Sequence, residues 1–145
     1  FLTLAKDRSM SQADAIRACL QPGLTIAVVG LSPKPHRDSY RVSQYMQAHG
    51  YRIVPVNPSA TEVLGERCFA SLTEAAEHTR IDVVNCFRNA EDIPPIADEA
   101  IAIGAAGLWL QLGIENEAAA QKAREAGLHV VQDRCIKVEH ARLQP

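Results

Sequence analysis

Short apolar runs alternate along this chain with stretches in which apolar positions recur every three or four residues, and glycine repeatedly stands where the second pattern gives way to the first. The runs are TIAVVG at 25–30, YRIVPV at 51–56, IDVVNCF at 81–87, LWLQL after Gly107 and LHVVQ after Gly127. Near-continuous and rich in valine, isoleucine and leucine, they predict central strands covered on both faces. Between them a helix is expected from about Asp38, with Val42, Tyr45, Met46 and His49 on one stripe and Gly50 as its stop. Residues 91–103 predict another. There Glu91 and Asp92 complement the helix dipole, Pro94 and Pro95 fit only a first turn, and Ile93, Ile96, Ala97, Ala100 and Ile101 form the apolar stripe. A third spans roughly 116–126, acidic at its start and followed by Gly127. Shorter helices are expected from Ser11, a plausible N-cap before Ala13, Ile16, Cys19 and Leu20, and from near Ser71 or Thr73. The stretch SATEVLGERCFASLTEA reads as a loop with a turn at Leu64 to Arg67, and residues 1–10 as a flexible segment ahead of a single domain over 11–145.

Strands and helices in strict alternation predict an α/β fold with a parallel sheet, because parallel neighbours need crossovers and helices supply them. In such sheets ligands bind beyond the carboxyl ends of the strands. The residues to collect are therefore Leu31, Ser32, Pro33, Lys34, Pro35, His36 and Arg37 after the first strand and Asn57 and Pro58 after the second. Phe87, Arg88 and Asn89 follow the third, Gln111, Leu112 and Gly113 the fourth, and Gln132, Asp133 and Arg134 the fifth. The first set carries the strongest signal. A strand that breaks at Gly30 and feeds a helix aims backbone N–H groups and the positive end of the helix dipole at one spot, where an anion is stabilised. Lys34, His36, Arg37 and Arg41 crowd that same turn. A formal net charge of −2 over 145 residues argues against a nucleic-acid binder working by overall attraction, so the positive site is local.

The phosphate ligand is not specified by the usual fingerprints. The turn reads G-L-S-P-K-P-H and lacks the second glycine of a dinucleotide loop, while Asn57 and Pro58 stand where an acid would hold ribose hydroxyls. No Walker A loop occurs. Catalysis is poorly provided for: no base is paired with a nucleophile, no glycine-framed serine appears, and the histidines have no metal-ligand spacing. Of the four cysteines, Cys19, Cys68, Cys86 and Cys135, none forms a C-x-x-C pair; with no signal peptide recognisable, free thiols in a reducing cytosol are expected. Cys135 falls near the collected strand ends. No apolar run approaches membrane-spanning length.

VVGLSPKPHRDSYRV, VPVNP, DVVNCFR, LWLQLGI and the terminal DRCIKVEH, in that order over about residues 10–143, together resemble the small bacterial CoA-binding proteins of the YccU-like type. These are similar to the CoA-binding domain of the succinyl-CoA synthetase α subunit. The resemblance implies a Rossmann-like three-layer αβα fold, a five-stranded mainly parallel sheet in order 3-2-1-4-5, and coenzyme A or an acyl-CoA at the strand ends. It would place Gly30, Leu31 and Ser32, with Pro33 beside them, at the CoA phosphates and Lys34, Arg37 and Arg41 as the nearby cations. Asn57 and Pro58 would line the adenosine side, Phe87, Arg88 and Asn89 the segment after the third strand, and Gln111 and Gly113 the turn after the fourth. Ile136 stands where a proline commonly follows the cysteine of the terminal motif. The synthetase takes its phosphohistidine and nucleotide chemistry from a further domain, so the resemblance implies binding without catalysis of its own, with a protein partner to use the ligand. A nucleotide-dependent oxidoreductase on a degenerate NAD(P) site, and a regulatory module with an empty cleft, are the alternatives.

Overall fold

The computed structural model describes residues 12–144, so the expected flexible segment 1–10 and the Ser11 cap lie outside the described residues. Residues 12–19 form α1. Then follow β1 (Thr25–Val29), α2 (Asp38–Ala48), β2 (Arg52–Val56), a hairpin of β3 (Glu62–Val63) and β4 (Glu66–Arg67), and α3 (Leu72–His78). The second half runs β5 (Val83–Cys86), a 3-10 turn at Ala90–Asp92, α4 (Ile93–Ala102), β6 (Gly107–Leu110), α5 (Glu117–Glu125), β7 (His129–Val131) and α6 (Ile136–Leu143).

The five-stranded sheet is parallel in every pairing and ordered β2-β1-β5-β6-β7. A single parallel bridge from Val56 to Phe69 continues it one position beyond β2. Over the five expected strands the order is 2-1-3-4-5; counting the Phe69 bridge as a third position ahead of β5 extends it to 3-2-1-4-5-6, which contains the expected run 3-2-1-4-5. Successive strand residues alternate between two cores. Ala27, Val29, Val54, Val56, Val84, Cys86, Leu108, Leu110 and Val130 pack under α3, α4 and α5. Ile26, Val28, Ile53, Val83, Trp109 and Val131 pack under α1, α2 and α6. The result is the Rossmann-like three-layer αβα sandwich, with its switch point at β1, where chain order reverses.

Two elements were not expected. The first is the pairing of β3 with β4 across the turn expected at Leu64 to Arg67, where Leu64 (φ 56) and Gly65 (φ 76) lie and Gln47 Nε2 of α2 donates to the Leu64 carbonyl at 3.1 Å. The second is α6. Its buried positions are Ile136, Glu139 and His140, so a helix-spaced stripe exists but two of its members are polar. No helix among the described residues is long and apolar enough to cross a membrane.

The seat of α1 depends on Gly107. A Cβ there would stand 2.5 Å from Cys19 Sγ, which is 1% exposed, so the thiol and the end of α1 must shift to admit it. Gly107→Ala is expected to destabilise the fold by about 1–3 kcal/mol through overpacking. Adding Cys19→Ala to the same chain should restore most of that loss, and denaturant melts of both proteins check it.

Candidate functional site

The strand ends carry a cleft of about 580 Å³, lined from α2 by Asp38, Arg41 and Val42 and from the turn after β5 by Phe87, Arg88 and Asn89. The turn after β6 adds Gln111, Leu112 and Ile114, and the start of α6 adds Cys135, Lys137 and Val138. Of the residues expected at the site, Arg41, Phe87, Arg88, Asn89 and Gln111 therefore meet in one place. Asp38, Val42, Ile114, Lys137 and Val138 join them without having been singled out.

The loop after β1 borders this cleft and does not line it. Gly30 has φ +87, and a Cβ on it would come 2.6 Å from the Phe87 carbonyl oxygen and 3.0 Å from Arg88 Cδ, so only glycine lets β1 and the turn after β5 approach this closely. Leu31 is wholly buried. The Ser32 N–H donates to Ser39 Oγ at 3.0 Å and the Lys34 N–H to Ser32 Oγ at 3.1 Å, which folds the loop onto the start of α2. Pro33, Lys34 and Arg37 are exposed on it. Asn57 Nδ2 donates to the Leu31 carbonyl at 2.9 Å while its Oδ1 accepts from the Ser59 N–H at 2.9 Å, so its amide braces this loop against the turn after β2; Pro58 is exposed.

Neither flanking helix is capped by the side chain of its own N-cap residue, Arg37 for α2 and Cys135 for α6, although Gln111 Oε1 accepts from the first N–H of α6. The remaining N–H groups of these first turns carry partial positive charge, and Arg41, Arg88 and Lys137 bring three full positive charges to the cleft against the one carboxylate of Asp38. Arg41 is half-exposed, its Nη1 donating to the His36 carbonyl at 2.6 Å and its Nη2 to Asp38 Oδ1 at 2.5 Å. Arg88 pairs with Asp92 at 3.4 Å, and Lys137 Nζ lies 5.3 Å from the Tyr45 ring centroid. Solvent-exposed pairs of this kind are weak, so each cation is available to an incoming anion.

Gln111 organises the far wall. Its buried side chain accepts from the Ile136 N–H at 3.0 Å, tying the turn after β6 to the start of α6. Ile136 supplies a donor that a proline at this position would lack. Gly113 N–H donates to Asp133 Oδ1 at 2.7 Å and Trp109 Nε1 donates to the Arg134 carbonyl at 2.8 Å, which fixes the same two turns to each other. Beneath the floor, Asn85 and Phe87 lie on one face of the sheet two residues apart. Asn85 Oδ1, and Ser43 Oγ of α2, are buried without a hydrogen-bond partner among the described residues. Burial pushes the Cys19 and Cys86 thiols up to about 12 and raises that of Cys68, whereas Cys135 is only half-buried at the cleft. Among the described residues no cluster of histidine, cysteine and acidic side chains is suited to a metal ion.

The seam between α2 and α6 is aromatic. His140 is 5% exposed, its Nδ1 lies 2.9 Å from Tyr45 Oη, and its ring stands edge-on to Tyr45, His49 and Tyr51. Burial, and secondarily the neighbouring His49, lower its pKa from the ordinary 6.5. The folded chain thus resists a proton that the unfolded chain accepts, so stability is full above about pH 6.5 and declines as pH falls from there through the folded-state value. Thermal melts from about pH 7.5 down to about pH 5 should show this decline, and His140→Gln should flatten it.

Parallel strands that end on a cationic cleft between two helix N-termini define a Rossmann-like domain of the kind that holds phosphorylated ligands. The chain belongs to the CoA-binding domain family, whose model matches residues 24–141. It is 46% identical over 126 residues to the uncharacterized protein YneT of Bacillus subtilis (strain 168), a match covering 87% of this chain and 92% of that protein. A solved structure, a hypothetical protein from Pyrococcus horikoshii OT3, shares 39% identity with a TM-score of 0.83 over 91% of each chain. The dinucleotide-forming acetyl-coenzyme A synthetase 1 of Ca. Korarchaeum cryptofilum, at 19% identity, shares the fold over 79% of this chain and 26% of that one, with a TM-score of 0.68.

Proposed function

We propose that the protein binds coenzyme A or an acyl-CoA in the cleft at the carboxyl ends of the strands and does so in a reducing cytosol, without catalysis of its own. The observation that carries this reading is the convergence of Arg41, Arg88 and Lys137 with the starts of α2 and α6 on one cleft of a CoA-binding domain. These groups suit a ligand with several phosphates: cations form charge-assisted hydrogen bonds to phosphate oxygens, and helix N-termini favour the same charge. Gly30, Leu31 and Ser32 bring the neighbouring backbone close, with Lys34 and Arg37 on the exposed side of that loop; Asn57, Pro58 and Gly113 border the strand ends. Bound CoA would supply a thiol or thioester as an acyl carrier. Cys135 is the cleft's own candidate nucleophile, yet no histidine or carboxylate is hydrogen-bonded to it among the described residues, which favours holding the ligand for a partner protein over turning it over.

Isothermal titration with CoA, dephospho-CoA and NAD tests the reading. CoA is expected to bind most tightly and NAD weakly, and a Lys34→Ala/Arg37→Ala protein should lose roughly tenfold or more if the exposed loop contributes one phosphate contact. No heat with any CoA form would sink the proposal; unchanged binding in the double variant would confine the phosphates to Arg41, Arg88 and Lys137.

A further inference from the structure

The cleft has a second wall that phosphates do not explain. Among the described residues the exposed large hydrophobic side chains are Leu112, Val138 and Leu143, at 70%, 44% and 43% exposure, and the first two line the cleft. Single exposed apolar residues are ordinary, but these two are held in place through the same residue, Gln111, by its backbone carbonyl on one side and its side chain on the other. Leu112 follows Gln111 in a turn closed by the Ile114 N–H donating to the Gln111 carbonyl at 2.9 Å and pinned through Gly113 N–H to Asp133. Val138 sits in the first turn of α6, whose leading N–H is bound by the Gln111 side chain. Their exposure is therefore built into a braced part of the fold. With Ile114 and Phe87 they give the cleft an apolar lip beside Arg41, Arg88 and Lys137.

Resting on the CoA reading above, we infer that this lip receives the acyl chain of an acyl-CoA, so that the protein selects thioesters bearing an alkyl group over free CoA. An amphiphilic anion matches a cleft lined by both cationic and apolar side chains. Free CoA ends in a small thiol and leaves Leu112 and Val138 in water, whereas an alkyl chain laid on them removes apolar surface from water on both sides.

Titration with CoA and with acetyl-, butyryl-, hexanoyl- and octanoyl-CoA tests the inference. Each fully buried methylene is worth roughly fourfold in affinity, and on an open wall about twofold, so octanoyl-CoA is expected to bind on the order of 50-fold more tightly than acetyl-CoA. The readout is the ratio of octanoyl-CoA to CoA affinity within each protein. Leu112→Ser and Val138→Ser, separately and together, should collapse that ratio toward one while thermal melts report an intact fold. A flat series in the wild type overturns the inference and leaves CoA binding standing. So does a rise with chain length that the serine variants keep. A flat series accompanied by dimerisation that Leu112→Ser abolishes would assign the lip to a second copy and overturn it as well. Absence of binding by every CoA form brings down the parent reading and this one together.

Discussion

Gly30→Ala is expected to destabilise the protein by roughly 3 kcal/mol and to abolish measurable CoA binding. Two costs combine. At φ +87 a residue with a Cβ is strained by about 1–2 kcal/mol, and the new atom would stand 2.6 Å from the Phe87 carbonyl oxygen, a backbone group that cannot swing aside. Relief requires β1 and the turn after β5 to separate. That turn carries Phe87, Arg88 and Asn89 into the cleft, so the same movement that relieves the clash takes apart the cationic wall. Gly23→Ala is the control: its φ of +77 imposes strain, but nothing lies within 4 Å of the added Cβ. It should lose only about 1–2 kcal/mol and keep its ligand. Urea melts and CoA titration on the two proteins separate the contact from the conformation.

The second large effect is electrostatic. An Arg88→Ala/Lys137→Ala protein is expected to bind CoA at least about 100-fold more weakly, since a hydrogen bond to a charged group contributes about 1.5–3 kcal/mol and two are removed. Both side chains are exposed and their contacts, to Asp92 and to the Tyr45 ring, are of the weak surface kind, so the fold should be retained. Arg80→Ala removes a still more exposed cation just before β5, at the amino ends of the strands, beside Asp82. It should leave affinity within about twofold, because at physiological ionic strength charge is screened over about 8 Å. Affinity of the wild type should also fall as salt is raised, and that slope should flatten in the double variant.

How far the sequence anticipates the structure depends on whether burial coincides with apolarity. It does for the strands, whose apolar runs overlap every strand of the main sheet, and for α2, α4 and α5, which Gly50, Gly104 and Gly127 terminate at positive φ. It does not for α6, where Glu139 and His140 occupy buried positions and mask the helical period, nor for β3 and β4, each too short at two residues to show alternation. The site inherits the same division. Phe87, Arg88, Asn89 and Gln111 follow from knowing which end of a parallel sheet binds, whereas Lys137 and Val138 were out of reach once α6 was unseen. Sequence also locates a residue at a strand end without saying which way its side chain faces. Asn57 is an instance: expected to line the adenosine side, it spends its amide on the Leu31 carbonyl and the Ser59 N–H. Leu31 likewise turns into the core beneath the loop.

A crystal structure of the protein with CoA tests the central claim most directly. The expected result is a ligand in the cleft beyond β1, β5 and β6, its phosphates contacting Arg41, Arg88 or Lys137 near the starts of α2 and α6 and its pantetheine arm running toward Leu112 and Val138. A ligand held anywhere else on the molecule, or phosphates in the cleft touching none of those three cations, would contradict it.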